Sequence, residues 1–248
     1  MRVFLVLSLV AMMSLASCSP NARTPRANVA STQPAAAAQA LDLPLHAVGA
    51  ANSREPTFAI FLTGDGGWAS FDRRVCADLA AQGVPTIGFD TGAYFDNMRS
   101  PDEAAAALAR TLRAGMAQWH ANRAIVVGYS FGADVAPFLI NRLPADLRSH
   151  IDRVALMAPS SEAPFQVTAA ERVGLSEPGA RPVVPEIQQT SQLGLRIVCL
   201  YGVTDQGAIC PHLSIAAMKD APLSGGHGFH GDDEGVAHAI LSAWPVVV

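Results

Sequence analysis

The sequence predicts an α/β fold, a three-layer sandwich in which helices cover both faces of a mostly parallel central sheet. Short apolar runs rich in β-branched residues alternate with longer segments of helical periodicity. Strands that are apolar along their whole length are typical of parallel sheets buried on both faces. Half of the 248 residues are apolar and only 15% are charged, so the chain can bury a large core.

The predicted elements alternate along the chain. Apolar runs predict strands at 58–64, 84–90, 123–128, 153–159 and 196–202, and helical spacing predicts helices at 70–83, 100–119 and 132–143. The second helix opens with Ser100 as its N-cap and Pro101 in its first turn. In such sheets the active crevice lies at the carboxyl ends of the strands.

Residues 160–195 interrupt this alternation. The segment is rich in proline and has no clear periodicity, so we predict an irregular insertion. A long irregular segment in a compact domain is often a lid or a binding loop. The alternative is a surface excursion without a role.

The N-terminal residues have the composition of an export signal. A positive Arg2 precedes a short apolar run, too short to span a bilayer comfortably, which predicts a signal peptide at 1–17. The segment "LASC" resembles the lipobox of bacterial lipoproteins, which implies cleavage before Cys18 and lipidation of its sulfur. An ordinary secretory signal is the alternative. Residues 18–40, rich in Pro, Ala, Ser, Asn and Gln, would then form a flexible tether to a folded domain at 41–248.

Export to the periplasm permits disulfides. Cys199 and Cys210 lie on either side of a predicted loop, and we predict a bridge between them, with Cys76 left as a buried thiol. Three reduced cysteines are the alternative.

Ser19 after the lipidated cysteine favours the outer over the inner membrane, by resemblance to lipoprotein sorting rules. The net charge of −4 argues against a broad nucleic-acid surface, which needs a clustered positive field.

The stretch "GYSFG", 128–132, joins a predicted strand to a predicted helix. Its G-x-S-x-G pattern at that position is typical of a nucleophile elbow, which would expose Ser130 at the carboxyl end of the strand. Small residues are needed on both sides because side chains would collide with the flanking elements. The alternative is a tight turn with no chemical role.

A serine hydroxyl becomes a good nucleophile only when a base takes its proton. Asp205 follows the strand 196–202 and His227 follows two glycines further on, so the chain has the order serine, acid, histidine. His227 would accept the Ser130 proton and Asp205 would hold the imidazole in the useful tautomer. His230 could replace His227, and Asp205 could merely cap its loop. A metal site is disfavoured by the histidine spacing, and we expect no metal or other cofactor.

The loop "TGDGG" follows the first predicted core strand. Its glycines leave backbone N–H groups free to approach a ligand, so we predict an oxyanion hole from the amides of Gly64 or Asp65 and of Phe131, the residue after the nucleophile. The alternative is an ordinary turn.

Five blocks in order carry a family resemblance. They are "TGDGGWASFD", "YFDNMRSPDE", "GYSFGADVAPFLINRLP", "CLYGVTDQGAIC" and "SGGHGFHGD". The set resembles the VirJ/AcvB family of bacterial virulence proteins. The resemblance implies an α/β-hydrolase fold, a periplasmic location, and links to type IV secretion and membrane-lipid homeostasis. It also implies hydrolysis of aminoacylated phosphatidylglycerol, chiefly the lysyl ester, by Ser130, Asp205 and His227. The family usually has a second histidine where this chain has Gly228.

The implied substrate suits serine attack, because an aminoacyl ester is an activated acyl group. A lipid tether would raise the effective concentration of a membrane substrate. Carboxylates near the strand ends could bind lysyl ammonium groups and nearby apolar residues could wall the cleft, so we predict substrate contacts from Asp65, Tyr94, Phe95 and Asp134. The alternatives are turns, caps and ordinary packing. The alternative function is a non-catalytic periplasmic factor that binds type IV secretion substrates or pilus components.

Overall fold

The computed structural model describes residues 41–51, 56–169 and 179–243. The predicted signal peptide, the lipidation site at Cys18 and the tether lie outside the described residues. Within those three ranges, no helix combines the length and the apolar character needed to cross a membrane.

A seven-stranded sheet lies at the centre of the fold. The strands along the chain are β1 Leu45–Val48, β2 Thr57–Leu62, β3 Thr86–Phe89, β4 Arg123–Tyr129, β5 Ile151–Met157, β6 Glu162–Ala163, β7 Arg181–Pro182, β8 Arg196–Gly202 and β9 Met218–Leu223. The order in the central sheet is β1-β3-β2-β4-β5-β8-β9, and every neighbouring pair is parallel except β1 with β3. β6 and β7 form a separate two-stranded sheet.

Helices cover both faces of the sheet. Their bounds are α1 Ser70–Ala81, α2 Thr91–Tyr94, α3 Pro101–Trp119, α4 Phe131–Asn141, α5 Ala145–Arg148, α6 Val183–Gln192 and α7 Asp233–Ser242. Short 3-10 helices occupy Cys210–His212 and Phe229–Gly231. The predicted mostly parallel α/β sandwich is therefore confirmed.

Alternate residues of the buried strands pack into two separate hydrophobic cores, one on each face of the sheet. On β2, Ile60 and Leu62 pack with apolar residues of α3, α4 and α6, whereas Ala59 and Phe61 pack with those of α1 and α7. This period of two follows from strand geometry, in which successive side chains point to opposite faces. All four side chains are completely buried, and both faces of the sheet are closed to solvent.

The two edge strands were not predicted. All four residues of β1 are half-buried, and most residues of β9, "MKDAPL", are exposed or half-buried. β9 carries Lys219, Asp220 and Pro222, residues that discourage pairing with another chain at a sheet edge. β1 has only four residues, and His46 interrupts its apolar run. Both strands therefore lack the continuous apolar run by which the five inner strands were recognised.

The prediction of an irregular segment through residue 195 was wrong for α6. This helix buries Val183, Ile187 and Thr190 at helical spacing. Its prolines misled the interpretation, because Pro182 is the N-cap and Pro185 lies in the first turn, where the missing N–H has no intrahelical partner to lose. Part of the preceding insertion, 170–178, lies outside the described residues.

A disulfide joins Cys199 of β8 to Cys210, with their Cα atoms 5.7 Å apart. Both cysteines are completely buried, and the loop between them contains Asp205. Cys76 of α1 is a free buried thiol, and burial raises its pKa well above the usual value. The bridge therefore closes the loop that carries the predicted acid.

Candidate active site

Ser130 lies in a sharp turn between β4 and α4. Its backbone has φ 52° and ψ −124°, a strained conformation for a residue with a side chain. Side chains at Gly128 or Gly132 would collide with backbone: the former with the start of α4, the latter with the carbonyls of Leu62 and Thr63. The G-x-S-x-G spacing is thus required by packing, and it presents the hydroxyl at the carboxyl ends of the strands.

Three side chains from three loops form a continuous chain of contacts. The Nε2 atom of His227 lies 2.8 Å from the Oγ of Ser130, and its Nδ1 lies 3.0 Å from Oδ2 of Asp205. The other carboxylate oxygen of Asp205 accepts a hydrogen bond from the amide of Gly207. An Nδ1–H donated to Asp205 leaves Nε2 unprotonated and ready to accept the serine proton.

The neighbouring histidine does not take part in these contacts. The ring of His230 packs against the backbone of Gly225, and His227 alone contacts the serine hydroxyl. In the described part of the chain, no group of three or more His, Cys, Asp and Glu side chains could hold a metal ion. The geometry therefore selects His227 from the two alternatives.

Tyr129, which the sequence reasoning missed, supports the histidine loop. Its hydroxyl donates to the carbonyl of His227 at 3.4 Å, and its ring packs on Phe71 and Phe229. Burial, followed by the charges of nearby carboxylates, raises its pKa to about 12. Tyr129 therefore remains a neutral donor, and its position as a variable residue within G-x-S-x-G gave no signal of this role.

The loop 63–69 lies beside the serine. A side chain at Gly64 would reach the Cβ of Ser130 at 3.5 Å, so the backbone here directly borders the hydroxyl. The amide of Gly67 donates to the carbonyl of Gly64, and the amide of Thr91 donates to the hydroxyl of Thr63. As the first residue of α4, Phe131 has an amide with no intrahelical partner. The amide of Phe131 therefore suits the predicted oxyanion donor on α4. On the loop, the amide of Gly64 faces the carboxylate of Asp72, so Asp65 is the better placed of the two predicted donors.

A buried carboxyl group accepts a hydrogen bond from the backbone of this loop. Asp72 of α1 is 2% exposed; its Oδ2 accepts from the amide of Ala69, whereas Oδ1 has no hydrogen-bond partner among the described residues. Burial raises its pKa to about 6, and the facing amides of Ala69 and Gly64 offset part of that effect. Nothing in the local sequence separates Asp72 from an ordinary first-turn acid, because its burial depends on distant residues.

We expect Asp72→Asn to remove a pH dependence of stability. The folded-state pKa of about 6 lies above the usual 3.8, so the proton favours the folded state at low pH and this contribution is lost as pH rises through 6. Relative to the variant, the wild type should lose about 2 kcal/mol of unfolding free energy between pH 4 and pH 8. Urea unfolding at both pH values measures this, with Asp220→Asn on β9 as an exposed control. Parallel pH profiles for wild type and Asp72→Asn would contradict it.

Two predicted substrate contacts belong to the core instead. Phe95 is completely buried and packs edge-on against Phe131 and Phe165, with ring centroids 5.2 and 5.9 Å away. Tyr94 is buried against Phe89, and its hydroxyl donates to the carbonyl of Glu103. The prediction that Tyr94 and Phe95 wall the cleft was wrong, because the α2 turn directs both rings inward.

The prediction for Asp134 was also wrong. This carboxylate, 4% exposed in the first turn of α4, accepts hydrogen bonds from the amide and hydroxyl of Ser160 at 2.6 and 3.0 Å. It therefore fixes the chain that leaves β5 and has no access to a substrate amine. Asp65, in contrast, is half-exposed in the loop beside Ser130.

The model of a family described as bacterial virulence protein (VirJ) matches residues 56–247. The chain belongs to the VirJ family. No curated protein sequence is significantly similar to this VirJ-family chain.

Solved structures share the fold of this VirJ-family chain. The thioesterase domain from the curacin biosynthetic pathway is 17% identical, with a TM-score of 0.56, covering 80% of this chain and 94% of its own. MenH from S. aureus is 14% identical, with a TM-score of 0.59 and coverage of 79% and 96%. Est1E from Butyrivibrio proteoclasticus, solved with ferulic acid, is 14% identical, with a TM-score of 0.56 and coverage of 80% and 92%. The predicted α/β-hydrolase fold is confirmed.

Proposed function

We propose that this VirJ-family chain is a serine hydrolase that cleaves an ester through an acyl-enzyme. The observation that carries this proposal is the unbroken series of contacts from Ser130 through His227 to Asp205. This arrangement lets one imidazole activate the hydroxyl while the carboxylate stabilises the imidazolium that forms. The esterase and thioesterase folds of its structural neighbours are consistent with that chemistry.

The reaction follows from the positions of these groups. His227 takes the Ser130 proton as Oγ bonds to the carbonyl carbon, and the negative charge on the carbonyl oxygen faces the amides of Phe131 and the loop 63–69. The C–O bond of the ester then breaks, and His227 returns the proton to the leaving alcohol. A water molecule, deprotonated by the same imidazole, releases the acyl group and restores the serine.

The proposed substrate is an aminoacyl ester of phosphatidylglycerol, in particular the lysyl ester. Family membership supports this choice through the resemblance to VirJ/AcvB proteins. The half-exposed carboxylate of Asp65 supports it physically, since Asp65 lies next to Gly64, which borders Ser130. An aminoacyl ester carries its ammonium group one carbon from the carbonyl, within range of a carboxylate beside the nucleophile.

The proposed setting is the periplasm, with a lipid anchor at Cys18 on a bacterial membrane, the outer membrane being favoured. The buried Cys199–Cys210 disulfide supports an oxidising compartment. Mass spectrometry of the mature N-terminus without added lipid would contradict the anchor.

The substrate proposal is tested by comparing charged and neutral esters. Asp65→Asn should lower kcat/KM for lysyl-phosphatidylglycerol about tenfold, because the ammonium groups lose a carboxylate partner at a half-exposed site. Turnover of a neutral acetyl ester should change little. Lysine release and acetate release are the two readouts.

Asp146→Asn is the matched control, because this exposed residue lies in α5, next to the amino end of β5. An equal loss of kcat/KM on both esters would show that Asp65 maintains the conformation of the loop and does not bind the substrate's ammonium group. Failure of the wild-type protein to release lysine would exclude the lysyl ester as substrate.

A further inference from the structure

A pocket of about 330 Å³ lies between the segment after β3 and the insertion after β5, both of which leave the sheet at the carboxyl ends of its strands. Its walls include Met98, Arg99, Phe165, Gln166 and Arg181. Backbone hydrogen bonds hold these segments together: the amide of Arg99 donates to the carbonyl of Phe165 at 3.0 Å, and that of Val167 to Phe95 at 2.8 Å. Hydrogen-bonded backbone segments therefore hold the pocket walls in place.

Two guanidinium groups belong to this pocket, and neither forms an ion pair with a described residue. Arg181 lies over the ring of Phe165, 5.9 Å from its centroid, and Arg99 lies over the ring of Tyr94 at 5.0 Å. Arg99 also donates through Nε to the carbonyl of Tyr94. Rings and backbone thus orient both side chains while leaving N–H groups for a ligand.

Two of the three acids within four residues of Arg99 bind other groups. Asp102 pairs with Arg142, and the carboxylate of Glu103 accepts from the amide and the hydroxyl of Ser100, both at 2.8 Å, as part of the cap of α3. The hydrogen bonds from Ser100 and, to a smaller extent, the charge of Arg99 lower the pKa of Glu103, but Arg99 and Glu103 form no ion pair. Met98, with 72% of its surface exposed, adds an apolar wall to the same pocket.

Two buried aromatic rings separate the pocket from the turn that carries Ser130. Phe95 lies between Phe165 and Phe131, at centroid distances of 5.9 and 5.2 Å, so the outer two rings are at most 11.1 Å apart. Phe131 directly follows Ser130. These rings belong to the core under α3, α4 and α6.

We propose that Arg99 and Arg181 bind the phosphate in the headgroup of an aminoacylated phospholipid, while its aminoacyl end reaches Ser130. The inference rests on the proposed function, from which it takes the aminoacyl lipid ester, and it adds the site that recognises the phosphate. Guanidinium groups donate two parallel N–H bonds to phosphate oxygens, which gives orientation as well as attraction. Met98 contacts the apolar acyl chains next to that phosphate. The arginines at the phosphate and the Asp65 carboxylate at the ammonium group would together fix the direction in which the substrate lies.

A binding experiment tests this site without turnover. The probe is dihexanoyl-phosphatidylglycerol, kept monomeric, titrated calorimetrically into the Ser130→Ala protein. Adding Arg99→Gln and Arg181→Gln should raise its Kd at least tenfold. The control pair Arg110→Gln and Arg113→Gln, on α3, makes the same charge change and should leave the Kd within about twofold. Thermal unfolding of each protein verifies that it is folded.

The same titration with inorganic phosphate identifies the ligand. Tighter binding of the lipid than of phosphate supports a headgroup site, and equal or tighter binding of phosphate overturns it. Equal weakening by the control pair would also overturn it, because the effect would then be general attraction. In turnover assays on wild-type Ser130, the double variant should raise KM for the short-chain lysyl lipid about tenfold and leave kcat and acetyl-ester hydrolysis unchanged. A protein that binds the lipid but does not hydrolyse it would refute the proposed function and not this pocket.

Discussion

Ser130→Ala is expected to lower kcat for ester hydrolysis by at least about 10³-fold. The Oγ atom removed is the one that lies 2.8 Å from Nε2 of His227, at the strained turn between β4 and α4. Alanine fits the same backbone, since only the hydroxyl is lost. The fold should therefore persist while the acyl-enzyme can no longer form.

Two readouts check this expectation. Release of lysine from lysyl-phosphatidylglycerol measures turnover, and a fluorophosphonate probe measures the nucleophile directly through a mass increase on the peptide that contains Ser130. Ser149→Ala, at an exposed position after α5, is the matched control and should match the wild type. A Ser130→Ala protein that keeps full turnover on lysyl and short esters would show that Ser130 is not the nucleophile. Absence of labelling together with recovery of a secretion-system partner would favour the binding-factor alternative.

His227→Ala should have an effect of similar size, again at least about 10³-fold on kcat, whereas His230→Ala should change kcat by less than about fivefold. The difference follows from geometry: the ring of His227 joins Ser130 to Asp205, while the ring of His230 packs on Gly225. Each substitution removes one imidazole from the same loop, so each serves as a control for the other. Steady-state kinetics on a short chromogenic ester gives the comparison.

The reverse order of the two kcat losses would contradict the assignment of His227 as the base. If His230→Ala abolished turnover and His227→Ala did not, the loop would have to rearrange on substrate binding. Equal losses, accompanied by a lower unfolding temperature in both variants, would instead indicate that the loop is held together by both rings.

The elbow could be predicted because its requirements are local. Gly128, Ser130 and Gly132 lie within five residues. Side chains at the two glycine positions would collide with the backbone of the flanking elements, and this dictates the spacing. The order of Asp205 and His227 could be predicted as well, because parallel strands bring the loops at their carboxyl ends to one edge. Sequence left the choice between His227 and His230 open, since it depends on how a single loop is folded.

The errors concern residues whose surroundings come from distant parts of the chain. Asp134 is held by Ser160, 26 residues away, and Phe95 is enclosed by rings from α4 and the later insertion. A carboxylate or a ring near a strand end looks the same in the sequence whether it faces a cleft or the core. The buried Asp72 escaped notice for the same reason, because only the folded loop above it excludes water.

The disulfide between Cys199 and Cys210 affects when the proposed active site is fully assembled. It restrains the loop of Asp205 against β8, in addition to the backbone hydrogen bonds from Thr204 to Gly225 and from Asp205 to Gly202. Without the bridge, the acid would lie on an open, entropically freer segment. Under the proposed export to the periplasm, oxidation would complete this restraint, so the onset of the proposed hydrolysis would coincide with arrival in that compartment.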